Sequence, residues 1–483
     1  VDNKTALETP IRVRFAPSPT GMMHLGNVRT ALLNFLFAQQ KQGEFILRIE
    51  DTDHARNYDP RAEGIIQDLA WLGIVYQEGP HKEKKCGPYF QSERNHIYTK
   101  RLHELIEKGS AYRCFCTTEE LEQKRQRQLA LKKPPRYDRS CLKKTQETVD
   151  QLLAAQTPFI WRFKLPATEK IAFFDMGRKT LEFALENFAD FPLTRADGTF
   201  TFMFANAVDD IDMHMTTVIR GEDHLTNTVG QVLLYHAFNA PVPTFWHLPI
   251  LCNAEGKKLS KRDFGFSLND LRQGGFLAQA ITNYLSIIGG SYEEELMTLG
   301  EQAERFHFDN IHTTGHIRYD VEKLKWLNHK WINRLSVEEL YHAAYPFLIN
   351  AMPELAHYTQ EMLCSMLKLV QTDLITLLDA IPALAMIIKK PELSQELITA
   401  HCPEINIELF QSTIKEASNH IASAAELMQT LKEAGIKLGI PAKQLWPCVR
   451  LLLIGSSKGP HIADTITVIG HEEALSRLTQ LIK

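Results

Sequence analysis

The sequence has no apolar run of the roughly 18 residues that would span a bilayer, and its first residues, VDNKTALETP, are polar. Neither a membrane span nor a signal peptide is therefore expected. Cysteine is scarce, 8 in 483 residues, with one close pair, Cys114 and Cys116. A small secreted scaffold would be denser, so a reducing, cytoplasmic setting is expected. No sign of charge dominates: 54 Lys and Arg stand against 58 Asp and Glu, a net charge of -4. Any contact with nucleic acid must come from local patches. Neither GxGxxG nor GxxxxGK[ST] occurs, which removes the dinucleotide fingerprint and the P-loop as phosphate sites. Low-complexity tracts and fixed-period repeats are also missing.

With 44% hydrophobic and 23% charged residues, the chain has the composition of folded globular proteins. Its length allows about three domains at roughly 150 residues each. Ile11, Val13 and Phe15 alternate at period two and run into Pro17, Pro19 and Gly21, a strand ending in a turn. Val28, Leu32, Phe35 and Ala38 follow at helical spacing. A second apolar run, Phe45 to Ile49, and a helical pattern through Ile65, Ile66, Leu69 and Leu72 from Pro60 complete a β-α-β-α opening. An open parallel sheet is the expected product. Between about 112 and 200 the rhythm breaks into a basic polar segment and β-rich pieces around 159–163 and 171–174. It resumes with a strand at 217–219, a helix at 229–238 and a strand near 245–251. From about 320 helical spacing dominates.

His24-Leu25-Gly26-Asn27 falls at the first strand-to-helix turn, where helix amides attract anions, glycine allows close approach and an imidazole can bond a phosphoryl oxygen. The tetrad alone is weak, because chance alone supplies about one HxG in a chain of this composition. A second element, Lys258-Leu259-Ser260-Lys261-Arg262, follows the strand near 245–251. Together they suggest an ATP site, with histidine on one side and mobile lysines on the other.

The stretches FAPSPTGMMHLGNVRTALLNFLFA (15–38), RIEDTDHAR (48–56), VIRGEDHLTNT (218–228) and KKLSKRD (257–263) resemble, in order and spacing, the bacterial-type glutamyl-tRNA synthetases, class I aminoacyl-tRNA synthetases. The resemblance continues through DVEKLKWLNHKWI (320–332) to SSKGPHIADTITVIGHEEALSRL near the end. It implies an α/β fold: a Rossmann-type parallel-sheet catalytic domain split into 1–111 and 201–255. An acceptor-stem-binding insert at 112–200, a loop and stem-contact region at 256–330 and an all-α anticodon-binding region at 331–483 complete it.

The implied reaction activates L-glutamate with ATP and Mg²⁺ and transfers it to the 3′ end of tRNA(Glu). The resemblance implies His24, Lys258 and Lys261 as catalytic groups, and Gly26, Asn27, Glu222, Leu259, Ser260 and Lys261 as the ATP contacts. For glutamate it implies Arg14, Ala16, Ser18, Glu50, Phe202, Asn206 and Arg220. Guanidinium groups suit a dicarboxylic substrate because they can grip a carboxylate bidentately. Phe202 departs from the pattern, since the family usually has tyrosine there. Asp209, Asp210, Glu222, Asp223 and His224 form a second polar group that similar enzymes place near ATP and the tRNA end. Asp51 and Asp53 read either as a metal pair or as loop-fixing caps.

Cys114, Cys116, Tyr137 and Cys141 resemble the zinc site that some relatives carry in the insert, where three thiolates and a fourth donor suit tetrahedral Zn²⁺. The bland alternative is two reduced structural cysteines in a β-hairpin. Residues 124–144 hold nine Lys or Arg and one acid, Asp138. Lys132, Lys133 and Arg136 are the expected contacts with the acceptor stem. The expected partners are tRNA, L-glutamate and ATP, for a monomer. Two alternatives stay open on the sequence: an enzyme that also, or instead, charges tRNA(Gln), and a non-catalytic tRNA-binding descendant.

Overall fold

The computed structural model describes residues 10–52, 59, 61–260, 262–307, 310–311, 315–417 and 423–482. Pro60, Asp53 and Lys261 lie outside the described residues. The chain forms two compact units, Val1–Asp270 with Thr282–Val321, and Leu271–Ile281 with Glu322–Lys483.

Among the described residues, the first unit contains ten strands: β1 (Arg12–Phe15), β2 (Glu44–Leu47), β3 (Ala111–Cys114), β4 (Ile160–Phe163), β5 (Lys170–Asp175), β6 (Lys179–Ala184), β7 (Thr217–Gly221), β8 (Thr244–Leu248), β9 (Leu251–Cys252) and β10 (Ile317–Arg318). β1 and β2 pair in parallel, Arg12 opposite Glu44 and Phe15 opposite Leu47, with the helix Leu25–Gln40 as crossover. A four-stranded sheet runs β6-β5-β8-β7, in which β7 and β8 are parallel and joined through the helix Leu225–Ala237. The two sheets meet where the Thr216 amide donates to the Arg12 carbonyl at 3.0 Å and the Arg12 amide to Thr216 Oγ1 at 2.8 Å. Strand, helix, strand repeats therefore build an open, largely parallel α/β layer, as the alternating apolar runs imply. Val13, Leu32, Phe45, Val218 and Trp246 are buried between its layers.

The break in rhythm after 111 has a physical origin. The helix Thr118–Ala130 buries no residue, so no apolar periodicity announces it. It is held instead by a capping box: the Glu120 amide donates to Thr117 Oγ1 at 3.2 Å, and the Thr117 amide to Glu120 Oε2 at 3.0 Å. The β5–β6 hairpin extends the main sheet, with Asp175 registered opposite Phe245. β3 and β4 form a separate antiparallel pair.

The second unit is helical. Its core gathers Leu427, Leu431, Cys448, Val449, Leu452 and Ile466 from successive amphipathic helices. The apolar stretches at 331–340 and 441–453 supply core residues such as Ile332, Leu340 and Leu451. Among the described residues, no helix is long and apolar enough to cross a membrane.

Candidate active site

A cleft of about 850 Å³ opens at the C-terminal ends of β1, β7 and β8, where open α/β sheets bind ligands. His24, Gly26 and Asn27 line one part of it, and Lys258, Leu259 and Ser260 another. Arg14, Ala16, Ser18, Glu50, Phe202, Asn206 and Arg220 line it as well. Two elements more than 230 residues apart in sequence thus share one cavity.

His24 is the N-cap of the helix Leu25–Gln40, and its Nδ1 accepts from the Asn27 amide at 3.2 Å. Burial, and then the Lys258 ammonium, holds its pKa below the usual histidine value, so the ring is neutral at neutral pH. A neutral imidazole that accepts at Nδ1 carries its proton on Nε2 and donates there. Gly26 leaves room beside it: a Cβ on that residue would lie 3.1 Å from the imidazole, so the ring would have to shift by a few tenths of an ångström. The chain following the lysines returns to the same turn. The Leu25 amide donates to the Phe266 carbonyl at 3.0 Å and the Leu268 amide to the Met23 carbonyl at 2.9 Å.

Between these points the basic loop is organised by Asp263, whose Oδ2 accepts from the Ser260 amide and from Ser260 Oγ, both at 2.8 Å. Lys258 is 64% exposed and lies 3.5 Å from Asp223. Such a weak surface pair leaves the ammonium able to move toward a phosphate.

The other end of the cleft rests on a buried ionic network. Arg14 grips Asp210 through Nε at 3.0 Å and Nη2 at 3.2 Å, and Arg48 Nη1 reaches the same carboxylate at 2.6 Å. Asp209 accepts from Arg94 Nε at 2.6 Å, Gln91 Nε2 at 2.8 Å and the Tyr98 hydroxyl at 2.9 Å. Asp209 and Asp210 therefore lie beneath the pocket, paired with arginines, and do not line it. Arg14, expected to fork onto a substrate, spends its fork on Asp210.

Glu50 accepts from Arg48 at 3.1 Å and Asn206 at 2.6 Å, both on Oε1; Oε2 makes no bond among the described residues. Arg220 gives Nη2 to Thr228 Oγ1 and to Gln231 Oε1, each at 2.6 Å. Its Nε and Nη1 are buried without a hydrogen-bond partner among the described residues. Burial, and then the neighbouring Arg14 cation, lowers Arg220 to about 10, so it stays charged. Phe202 packs against His224 at 5.4 Å between ring centroids. Burial, and then Arg220, pushes His224 down to about 4.

Glu222, expected at ATP, is not among the cleft-lining residues. Its carboxylate is held by Arg178 and by the Ile250 amide at 3.1 Å, which turns it into a brace between β7 and the chain after β8. Asp51 takes the capping role, accepting from the Ser92 amide at 2.8 Å and Ser92 Oγ at 2.6 Å. Sequence reasoning overlooked Gln231, Thr228, His247 and Asp175, which hold Arg220 from behind. They are buried and uncharged or paired; Thr228 ends the stretch 218–228, but nothing in that stretch marks it as a support for Arg220, and Gln231, His247 and Asp175 fall in no quoted motif.

In the insert, Cys114, Cys116 and Cys141 bring their sulfurs within 4.8 Å of one another. The Tyr137 hydroxyl lies 3.3 Å from Cys114 Sγ and 3.9 Å from Cys116 Sγ. Of the nine basic side chains, Lys124 pairs with Asp138 at 3.1 Å, Arg125 with Glu122 at 3.4 Å and Arg139 with Asp190 at 2.8 Å. Arg136 spends its guanidinium on the Glu186 carbonyl and, at 3.2 Å, on Asn187 Oδ1. Lys132 and Lys133 are exposed and make no ion pair among the described residues.

Known proteins resemble this chain over nearly its whole length. Residues 10–336 match the family model for tRNA synthetases class I (E and Q), catalytic domain, and residues 339–482 match an anticodon binding domain. The glutamate–tRNA ligase of Bacillus licheniformis is 35% identical over 98% of this chain and 99% of that protein. The ligase of Bacillus subtilis is similar to the same degree, 35% identical over 98% and 99%. A crystal structure of a glutamate tRNA ligase from Elizabethkingia meningosepticum, in complex with its amino acid, matches with a TM-score of 0.88 at 32% identity. It covers 98% of this chain and 99% of that one.

Proposed function

This chain belongs to the glutamate–tRNA ligase family of class I tRNA synthetases, and on that footing we propose that its cleft joins L-glutamate to ATP and hands the product to tRNA(Glu). In the first step an oxygen of the α-carboxylate bonds to the α-phosphorus of ATP and pyrophosphate leaves. In the second a ribose hydroxyl of the terminal adenosine attacks the acyl carbon, and AMP leaves. No covalent bond to the protein forms, so the protein contributes positioning and charge stabilisation.

The supporting observation is the convergence of three donors on one cleft: the Nε2–H of His24, the exposed ammonium of Lys258 and the unpaired nitrogens of Arg220. His24 and Lys258 face the phosphoryl charge, and Lys261 is assigned the same task from the sequence. Arg220 meets the side-chain carboxylate of glutamate. Nη2 is already spent, and Nε and Nη1 lie on different edges of the guanidinium, so the contact is by single donors rather than a fork. Glu50 offers Oε2 to the substrate ammonium, with Ala16 and Ser18 on the adjoining wall.

Among the described residues, Glu50 and Asp223 are the cleft-lining carboxylates, and Asp223 is the one that no arginine holds. Mg²⁺, bound mainly through phosphate oxygens and water, needs little more, and when bound it neutralises triphosphate charge. In the insert, sulfurs at 3.5 Å (Cys116 to Cys141) with a phenol oxygen 3.3 Å from Cys114 fit a tetrahedral ion with Zn–S of about 2.3 Å. Cys114, Cys116, Cys141 and Tyr137 would hold such a zinc and staple the insert. Lys132 and Lys133 are assigned to acceptor-stem phosphates, Arg136 to shaping their loop, and the helices of 331–483 to the anticodon.

A charging assay with radiolabelled glutamate, ATP and tRNA(Glu) tests the reading. Acid-precipitable product is expected; its absence with folded protein would overturn it.

A further inference from the structure

Behind Arg220 runs an unbroken chain of buried hydrogen bonds. Glu50 Oε1 accepts from Asn206 Nδ2 at 2.6 Å, and Asn206 Oδ1 from Gln231 Nε2 at 2.7 Å. Gln231 Oε1 accepts from Arg220 Nη2 at 2.6 Å, and so does Thr228 Oγ1, also at 2.6 Å. The Thr228 hydroxyl shares its proton between His247 Nε2 at 2.8 Å and the His224 carbonyl at 3.1 Å. His247 Nδ1 closes the chain on Asp175 at 2.7 Å. Thr228, His247 and Asp175 are fully buried, and Gln231 is 2% exposed. None of these four lines the cleft.

The direction of every bond is forced by the charged ends. A carboxylate at Glu50 only accepts, so the Asn206 amide must turn its nitrogen there and its oxygen to Gln231. Gln231 is then obliged to present oxygen to Arg220. At the other end, Asp175 also accepts from the amides of Gly177, Arg178 and His247, which keeps it an acceptor and places the His247 proton on Nδ1. The ring therefore offers Nε2 to Thr228.

We infer that Gln231 and Thr228 are positioning residues for Arg220: together they take both protons of Nη2 and thereby decide that Nε and Nη1 are the donors left for the amino acid's side-chain carboxylate. This deepens the proposed function and rests on Arg220 binding that carboxylate.

The test is steady-state charging with tRNA present, varying glutamate and ATP separately, alongside thermal unfolding. Gln231→Met and Thr228→Val should each raise KM for glutamate roughly tenfold, the size of one lost charged hydrogen bond. The kcat and the KM for ATP should stay within about twofold. Gln231→Glu keeps the oxygen but neutralises Arg220 in place, so it should raise KM for glutamate further. Thr228→Ser should restore the parental value. Arg220→Met distinguishes the two levels: an unchanged KM for glutamate there removes Arg220 from the pocket and overturns the proposed role. A raised KM in Arg220→Met with parental values in Gln231→Met and Thr228→Val overturns the positioning inference alone. Equal changes in glutamate KM, ATP KM and kcat, with lowered unfolding temperature, would show a merely structural part and overturn it too.

Discussion

The Asn27 amide donates to Nδ1 of His24 at 3.2 Å, so one imidazole caps the helix that starts behind it and turns its remaining N–H toward the cleft. Stability and chemistry are joined in a single side chain, and substitution can separate them.

His24→Ala should cost about 1 kcal/mol of stability through the lost cap and lower turnover by about a hundredfold through the lost donor. His24→Asn keeps a good capping acceptor without Nε2–H. Denaturant unfolding should show its stability near the parent, while charging stays slow. Parental charging by His24→Asn would mean that Nε2 plays no part.

Asp209 is fully buried, with donors from Arg94, Gln91 and Tyr98. Asp209→Ala would leave the buried Arg94 Nε without its carboxylate and remove the charge 3.7 Å from Arg48 Nε, and unfolding should show a loss of about 3 to 5 kcal/mol. A loss below about 1 kcal/mol, the range of surface pairs, would contradict the network described.

His224 titrates near 6.5 in an unfolded chain and is pushed down to about 4 in the fold, first by burial and then by Arg220. Between those values the unfolded chain holds a proton that the folded one lacks, so stability falls as the pH drops from about 6.5 to about 4. The group's contribution is complete above that window. In His224→Gln this part of the slope should vanish, narrowing the gap to the parent in acid. A gap that stays constant from neutral to acid pH would refute the shift.

Purified protein should carry about one zinc per chain by elemental mass spectrometry, in keeping with a closed structural site. Cys141→Ser should lower both the metal content and the unfolding temperature. Metal-free protein that unfolds at the same temperature with and without added zinc would sink the assignment.

Much of this architecture is readable from local pattern. The period-two run at 11–15 becomes β1, the apolar recurrence at 28–38 becomes the first crossover helix, and the run near 245–251 becomes β8 and β9, divided at Pro249. The shared cleft follows from two strand-end motifs in an open sheet. What could not be read are partnerships fixed by distance along the chain. Arg14 and Asp210 are 196 residues apart, and nothing near either one says that they meet. Glu222 looks like a substrate contact until Arg178, on the far hairpin, takes it. The helix at 118–130 escaped for the opposite reason: it buries no side chain, and only Thr117 and Glu120, three apart, signal its start.

The amides of Asn206 and Gln231 take their orientation from a carboxylate at one end and a guanidinium at the other. Exchanging Glu50 for a donor would therefore reverse what Arg220 sees, while exchanging Arg220 leaves both amides held from the Glu50 end. A single replacement at Arg220 aimed at a neutral amino acid would leave a carbonyl oxygen fixed against a group it cannot satisfy. Retuning this pocket demands compensating changes in concert, so its selectivity should drift by linked substitutions and resist one-step conversion.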